Sequence, residues 1–555
     1  MRSPMPGPPP RRTPTGVAMS LPTLHAERQP TLLNDDQVRE FIANGFLRLT
    51  PDVDPSLHVE IDALVRYACE KESWYGNNIV SRIPKLHHIV RCPVVDGAIE
   101  SIAGPGYYFH PHRAVHINTP VEEREELTPE IDGPKMGKGS IAGSGWHQDA
   151  QSPLSRARHH VPRYLIGFYY PHETPLDMGP TRIQAGSHLY AHPVAPHGVV
   201  LPDVVPAGTF LLVHFDMVHA GFPNHSDRTR YMVKFVFART RNPTGPSWNN
   251  VDASWKRPEA CIPEFDLPET WSYIWHWMRG EPQVQTGQDT ATVDEYVERL
   301  NGPDQPARLT STYALAELQE VERLAAILEA AAGCDRHERT LATDERGQPV
   351  PRDDVRGYPR RWNERAIVMD DATYALAACG QQAIPTLERL LRHDDPWIQI
   401  NAAFALGEVG TPARGSVAAL AALLDSPHQQ VVRQALDAIG AIGEGIGPAL
   451  PAIEHLLTTT NLEWQEPQVM RGWTGENQVR MNAALALLNA INAGEHTEEI
   501  ERILTGSLGD PNGYVSAIAT EALTRIGTPT ATRAALTFLS DRRWDDTLLG
   551  RVKAF

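Results

Sequence analysis

Histidine is concentrated in one quarter of this chain, where 15 of its 23 histidines lie between His87 and His225. Imidazole binds metals and carries protons, so chemistry is to be sought there. The pattern to test is two histidines and one carboxylate, the set that holds non-haem Fe(II) and leaves positions open for oxygen and a cosubstrate. On a strand, residues i and i+2 share a face, so the set takes the form His-x-Asp plus a distant His from a later strand. His-x-Asp occurs three times, as His147-Gln148-Asp149, His225-Ser226-Asp227 and His393-Asp394-Asp395. The third lies in an Asp-x-Pro turn between helices, where Asp caps the next one. The second lies in the polar turn Pro223–Arg228, with no strand histidine after it to complete a set. The first follows Gly143-Ser144-Gly145-Trp146 at a strand edge, and His219 ends the apolar run Thr209–Phe215 seventy-two residues later. His147, Asp149 and His219 are therefore the candidate metal set.

Ligands so far apart in sequence need a β-scaffold. Between about residues 105 and 240, short apolar runs alternate with Gly, Pro and Asn, and the clearest strands are Ala114–Asn118, Tyr164–Tyr170, Thr209–Phe215 and Tyr231–Ala238. None is followed by a long amphipathic helix, which favours an antiparallel jelly roll over a parallel sheet. Asn34 and the acidic pair after it predict a helix from Asp35 that stops at Asn44-Gly45, followed by a strand Phe46–Leu49. Trp248, Trp255, Trp271, Trp275 and Trp277 lie among prolines with few basic neighbours, so they read as the core of an extension packed on the barrel and not as a base-stacking platform. His214 reads as a packing residue, while His116 and Asn118 share a strand face and can line a pocket.

These residues carry a resemblance. Trp146-His147-Gln148-Asp149, Gly179-Pro180-Thr181-Arg182-Ile183-Gln184-Ala185-Gly186-Ser187-His188, and His219 with Asn224 and Arg230 together resemble the phytanoyl-CoA dioxygenase family over about residues 32–280. The opening Asp35–Phe46 stretch resembles that family's start. The resemblance implies a double-stranded β-helix with Fe(II), 2-oxoglutarate and molecular oxygen, and His147, Asp149 and His219 as iron ligands. It also implies that Arg230, eleven residues after His219, clamps the far carboxylate of 2-oxoglutarate, a role suited to a planar fork of donors. Arg228 is the rival. Asn118 is a candidate polar contact to the cosubstrate, and Gly186-Ser187-His188 shapes a turn. Ala185 stands where the family usually has Pro, and Gly221 where it commonly has Ser; neither touches metal binding, though Gly221 removes one polar contact to 2-oxoglutarate.

After about residue 306 the chain becomes Ala- and Leu-rich and repeats itself. Ala375-Leu376-Ala377-Ala378-Cys379-Gly380 matches Ala405-Leu406-Gly407-Glu408-Val409-Gly410 thirty positions on, Gly410 matches Gly443, and Ala522–Gly527 repeats the phrase. Each unit reads as helix, Gly turn, Pro-started helix and Asp-x-Pro, resembling short HEAT-like repeats over roughly 365–540 with a weaker unit at Thr312–Ala330. Two polar inserts, 333–365 and 458–478, are expected to project as loops. The expected fold class is thus multidomain: a jelly-roll double-stranded β-helix with flanking helices, followed by an all-α HEAT-like solenoid. The expected division is a Pro-rich disordered tail at 1–30, the oxygenase domain at 31–300, a linker with a first irregular helical unit at 301–365, and the solenoid at 366–555.

The chain has 555 residues, 41% of them hydrophobic and 21% charged, with a net charge of -17, which fits a soluble multidomain protein. That charge argues against nucleic acid as a ligand, and no apolar run is long enough to span a bilayer. Arg11-Arg12 is only a faint twin-arginine signal, and Met19 is an alternative start. Five cysteines with no Cys-x-x-Cys pairing point to a reducing, cytoplasmic setting. The expected activity is an Fe(II)- and 2-oxoglutarate-dependent dioxygenase acting as a hydroxylase on a small molecule, whose substrate is set by loops such as 119–145 and 150–162. The alternative is an interaction protein whose oxygenase fold is a non-catalytic 2-oxoglutarate- or metal-binding module. The solenoid is expected to bind a partner protein or to pack on the barrel without supplying an iron ligand.

Overall fold

The computed structural model describes residues 29–72, 77, 79–121, 146–149, 156–191, 198–283, 291–333, 367–465, 474–495 and 497–542. The Pro-rich tail to residue 28, residues 122–145 and 150–155 of the expected substrate loops, and residues 334–365 and 466–473 of the two inserts lie outside these.

The N-terminal half is built on two facing sheets. The larger holds β1 (Phe46–Leu49), β8 (Phe210–His214), β3 (Tyr164–Tyr169), β10 (Arg230–Ala238) and β2 (Tyr108–Asn118), in that order and all antiparallel. The smaller holds β6 (Val199–Val200), β5 (Thr181–Gln184) and β9 (His219–Gly221), and a two-stranded ribbon pairs β4 (Thr174–Pro175) with β7 (Val204–Val205). Strand alternation divides the large sheet's side chains. Ile166, Phe168, Tyr170, Val213, Met232 and Val236 point between the sheets with Ile183 of β5, forming the barrel core. Leu165, Tyr169, Leu212, Val233 and Phe235 point the other way, into the helical layer. That layer holds α1 (Asp35–Asn44), α2 (Pro55–Lys71), the short α3 (Ile79–Arg82) and α4 (Leu86–Val90), α5 (Pro93–Ala103) and α6 (Pro268–Met278).

Helix α1 has the expected bounds because Asn34 and Gln37 form a capping box and Gly45 closes it at φ 81. A Cβ on Gly45 would stand 2.2 Å from Met217 Cε, so this glycine serves both the turn and the close approach of helix and barrel. Trp248, Trp271, Trp275 and Trp277 are buried, and the Trp248 indole donates to Asp35 at 2.7 Å. Among the described residues no helix is long and apolar enough to cross a membrane.

Two strands differ from expectation. Strand β2 starts at Tyr108 rather than Ala114, because the polar stretch His110–Arg113, which hides the apolar pattern, pairs with β10 across a register shift between Lys234 and Val236. The apolar strand ends at His214, and His219 opens the separate strand β9; the intervening turn, closed by Met217 N–H to the His214 carbonyl at 3.1 Å, carries the chain from the large sheet to the small one.

Among the described residues, the two halves are joined through packed helices. Helix α7 (Val293–Leu300) and α8 (Gln305–Glu317) pack on one another across the short turn expected to be a linker, and α8 also packs on α6. From α8 the chain forms hairpins: α8 with α9 (Val321–Glu329), α10 (Asp371–Ala378) with α11 (Ile384–Leu390), α12 (Pro396–Val409) with α13 (Val417–Ala422), α14 (Gln429–Ile442) with α15 (Leu450–Thr458), α16 (Gly475–Asn492) with α17 (Glu498–Ser507), and α18 (Gly513–Ile526) with α19 (Pro529–Arg542). The first helices of the pairs stack in order, α8, α10, α12, α14, α16, α18. The repeated glycines Gly410 and Gly443 take φ 76 and 74, which ends each helix and starts the return.

This inner row lies against the barrel. Glu408 of α12 accepts from Arg163 Nε at 2.5 Å and pairs with His159 Nδ1 at 3.1 Å. The Tyr374 hydroxyl of α10 donates to the Arg158 carbonyl at 3.0 Å, and its ring stacks on His160 with centroids 4.0 Å apart. Arg525 of α18 donates to the carbonyls of Gly106 and Tyr107 at 2.6 and 3.0 Å. The segment 156–163, part of which was expected to be a substrate loop, is therefore clamped between barrel and solenoid. Of its five basic and imidazole side chains, His159, His160 and Arg163 meet acidic and phenolic groups of the solenoid, while Arg158 pairs with Asp216 of the barrel.

Candidate metal centre

The site forms where the small sheet acquires one more strand position. His147 and His219 form an antiparallel bridge, each N–H donating to the other's carbonyl at 3.0 Å, while Ile183 of β5 pairs with His219 on its other side. The two rings stand with centroids 4.4 Å apart. Asp149 shares the face of His147, and one ligand atom from each of His147, Asp149 and His219 lies within 4.8 Å of the others. Gln148, between them, points the opposite way, as strand alternation requires, and its Nε2 donates to the carbonyls of Tyr190 and Asp216 at 3.1 and 2.8 Å.

Two of the candidate ligands, His219 and Asp149, are held by other groups. The Nδ1 of His219 lies 2.9 Å from the Met217 carbonyl, which fixes the tautomer and leaves Nε2 as the free lone pair. Burial, together with the neighbouring His147, pushes the His219 imidazole down to about 3, so it is neutral at physiological pH. Burial alone would raise the Asp149 carboxyl, but Lys234, His219 and His147 outweigh it and hold it far below the usual carboxylate range. The Lys234 ammonium bonds directly to Asp149 Oδ2, leaving Oδ1 as the second oxygen. A lone-pair nitrogen and an ionised carboxylate are what a divalent cation needs. Beyond the triad, Phe168 packs its ring 5.3 Å from that of His219.

Arg230 stands opposite Asn118 in the β10–β2 register, on the same face of β10 as Met232 and Lys234. It is 5% exposed, yet its Nε and Nη1 are buried without a hydrogen-bond partner among the described residues. Burial lowers its basicity, offset by the nearby Tyr170, but a guanidinium stays charged. Gly221 leaves room beside it, since a Cβ there would stand 3.8 Å from Arg230 Nη2. Arg228 is exposed in the preceding turn. Asn118 is buried, and its Nδ2 donates to the carbonyls of Gly179 and Phe222 at 3.2 and 2.9 Å. Both its donors thus serve the backbone, and only its Oδ1 is unengaged. His116 lies on the same face, opposite Met232, and is exposed to solvent.

The other histidine motifs stand apart. Asp395 caps α12 by accepting from Trp397 N–H at 2.7 Å, and His225 follows β9 in the polar turn. Gly186, at φ 76, opens the turn Ser187–Leu189, and the Ser187 hydroxyl accepts from Val218 N–H at 3.0 Å, bracing the strand that carries His219. His214 is buried against His188 and Phe41.

Sequence reasoning missed two groups. Lys234 was legible as a charged residue within a wholly buried strand, on the Arg230 face. Asp216 was not: it accepts from Arg158 Nη1 at 2.7 Å, ties Gln148 through its carbonyl, and so joins the clamped 156–163 segment to the triad.

Comparison with known proteins bears on the two halves differently. Residues 367–440 and 384–464 match the family of HEAT repeats. The C-terminal half is a HEAT-like solenoid. No curated protein matches the sequence. Among solved structures, the N-terminal half is similar to the non-heme alpha ketoglutarate dependent epimerase SnoN from nogalamycin biosynthesis, at 15% identity and TM-score 0.27 over 37% of this chain and 81% of that one. The non-heme monooxygenase ThoJ in its nickel complex is 14% identical at TM-score 0.27, over 52% of this chain and 99% of its own. EctD from S. alaskensis, solved with 2-oxoglutarate and 5-hydroxyectoine, is 15% identical at TM-score 0.29, over 39% and 86%. At such TM-scores these likenesses lend no weight to a function, and the phytanoyl-CoA likeness is carried by the motifs alone.

Proposed function

We propose that this chain is an Fe(II)- and 2-oxoglutarate-dependent oxygenase that hydroxylates a C–H bond of a small molecule. The reading is carried by one observation: a buried guanidinium with no counter-ion among the described residues, Arg230, lies on the same sheet face as the lysine that grips the carboxylate of a two-His-one-carboxylate cluster. A buried cation without a partner is costly unless an anion joins it, and a fork of N–H donors suits a carboxylate. His147, Asp149 and His219 would hold iron, and Arg230 would take the far carboxylate of 2-oxoglutarate. Asn118, whose amide donors go to backbone carbonyls, would shape this end of the pocket. Bound iron would supply the activation of dioxygen, coupled to decarboxylation of 2-oxoglutarate to succinate, that lets an unactivated C–H bond be hydroxylated.

The chain's own contribution is positional. The backbone bridge between His147 and His219 sets two ligand positions, and the Met217 carbonyl keeps the His219 proton on Nδ1. Lys234 keeps Asp149 ionised and its second oxygen pointed. Phe168 gives the site a dry wall. A cytoplasmic setting fits the free thiols at Cys69, Cys92, Cys261 and Cys379. A partner protein would meet the outer row of the solenoid, since the inner row is taken by the barrel.

The test is succinate formation from 2-oxoglutarate with added Fe(II) and ascorbate. Tight binding of metal and 2-oxoglutarate without any succinate, under every candidate substrate, would favour the second reading, an interaction protein with a non-catalytic sensing module.

A further inference from the structure

Arg156 is a second buried arginine whose Nε has no hydrogen-bond partner among the described residues. Between the barrel and the solenoid is a cavity of about 40 Å³, lined by Arg156 and Tyr164 on one side and by Asp437 of α14 and Asn482 and Asn489 of α16 on the other. A water needs about 10–15 Å³ of such space, so there is room for about three waters or for one small anion.

The polar lining is unbalanced. Arg156 is 6% exposed, stacks on the Tyr164 ring at 3.1 Å, and its guanidinium makes no hydrogen bond or ion pair among the described residues. Behind the lining residue Asp437, Arg433 is fully buried, and among the described residues its ion pair is with Asp437, Nε to Oδ2 at 3.6 Å. Two buried guanidiniums thus share one carboxylate, while the neighbouring Arg163 is already neutralised by Glu408. The Asn482 side chain is buried without a hydrogen bond among the described residues, and Asn489 donates one N–H to the Gly440 carbonyl at 3.1 Å, leaving a second. Unspent donors and an excess of positive charge, gathered in a partly open cavity at a contact between two domains, suit an anion.

We propose that a small oxyanion or carboxylate binds here, received by Arg156 from the barrel and by the Asn482 and Asn489 amides from the solenoid. It is not the molecule being oxidised. Tyr164, Ile166 and Phe168 alternate along the inner face of β3, and the fully buried Ile166 and Val236 fill the core between the cavity and the Phe168 ring that touches His219. The bound anion bridges the two halves instead. Arg156 begins the clamped segment, its carbonyl accepting from Ile367 N–H at 3.1 Å, and two residues on Arg158 grips Asp216 beside the metal set. Occupancy therefore tightens the seat of the solenoid and the support of the metal-bearing turn together.

The full-length protein is titrated with inorganic phosphate and, separately, with acetate, against sodium chloride at matched ionic strength, following Tm. The expected result is a saturable rise with at least one of the two that chloride does not reproduce. A response to phosphate alone identifies a phosphate-type oxyanion, and one to acetate identifies a carboxylate. Arg156→Gln abolishes the saturable response, and Arg156→Lys, which keeps the charge but loses the fork, raises the half-saturating concentration by about tenfold or more. Asn482→Leu raises it as well. A response equal to that of chloride, or saturation unchanged by these substitutions, overturns the proposal and leaves Arg156 and Asp437 as a pair bridged by water. If Arg156→Gln does not fold, unchanged saturation in both Arg156→Lys and Asn482→Leu has the same force.

Discussion

His147 and His219, seventy-two residues apart in the chain, are bonded to each other through both backbone groups at 3.0 Å. The spacing of the two imidazoles is thus set by a β-bridge rather than by flexible side chains, so the candidate metal set is organised by the fold itself.

Replacing His147, Asp149 or His219 by Ala should each reduce bound Fe(II) to background in a colorimetric assay, since a three-ligand site has none to spare. The fold should persist, because the bridge uses backbone atoms. His393→Ala should bind iron like the parent protein, as that residue belongs to the turn before α12. Full iron binding by any triad variant would sink the assignment.

Arg230→Ala should raise the 2-oxoglutarate concentration needed for half-maximal turnover strongly, by the equivalent of about 2–5 kcal/mol, because it removes a charge-assisted bidentate partner from a buried site. Arg228→Ala, at an exposed turn position, should shift it little. A titration showing the opposite ranking would place the cosubstrate elsewhere.

Asp216→Asn should weaken iron binding by about 10–100-fold without touching a ligand, the usual range for groups that orient ligands from behind. It removes the charge partner of Arg158 while keeping the carbonyl that Gln148 holds. An unchanged iron affinity would mean that the His147–His219 bridge alone suffices.

Acid should loosen the contact between barrel and solenoid through Glu408. Burial alone would raise this carboxyl, but Arg163 and His159 pull it down from 4.5 to about 2. Because the folded value is depressed, its contribution is complete above about pH 4.5 and is lost as pH falls toward 2; two and a half units correspond to about 3 kcal/mol. Urea midpoints measured at about pH 5 and pH 3 should differ more for the parent protein than for Glu408→Gln, which has no proton to gain.

A chain ending at Gly302 should be poorly soluble. Truncation uncovers the faces of His160, Arg163 and Tyr273 that Tyr374, Glu408 and Tyr313 now cover, and it leaves an apolar and charged surface without partners. Light scattering of the truncated protein checks this. A well-behaved monomer that still makes succinate would restore the simpler expectation that the solenoid is dispensable for the chemistry.

Much of this architecture follows from local patterns. The bounds of α1, four main strands and the glycine-ended repeat helices are short-range properties, written in caps, alternation and turn residues. The clustering of His147, Asp149 and His219 was legible for a related reason: His147 and Asp149 share a face by alternation, and the competing pairs at 225 and 393 lie in turns. The inward burial of Arg230 was legible from its position at the mouth of a strand whose alternate residues face inward, while its role came from the family resemblance alone.

What the sequence by itself determined is which residues face inward and where each helix stops, because strand and helix periods act within a few residues. Only the tertiary structure decided which inward groups meet. Lys234 reaches Asp149 across eighty-five residues, and Arg163 reaches Glu408 across 245. The stretch 156–163 reads as a loop because the partners of His159, His160 and Arg163 lie in helices more than 150 residues later, and the burial of Arg163 is offset by Glu408 once the solenoid closes over it.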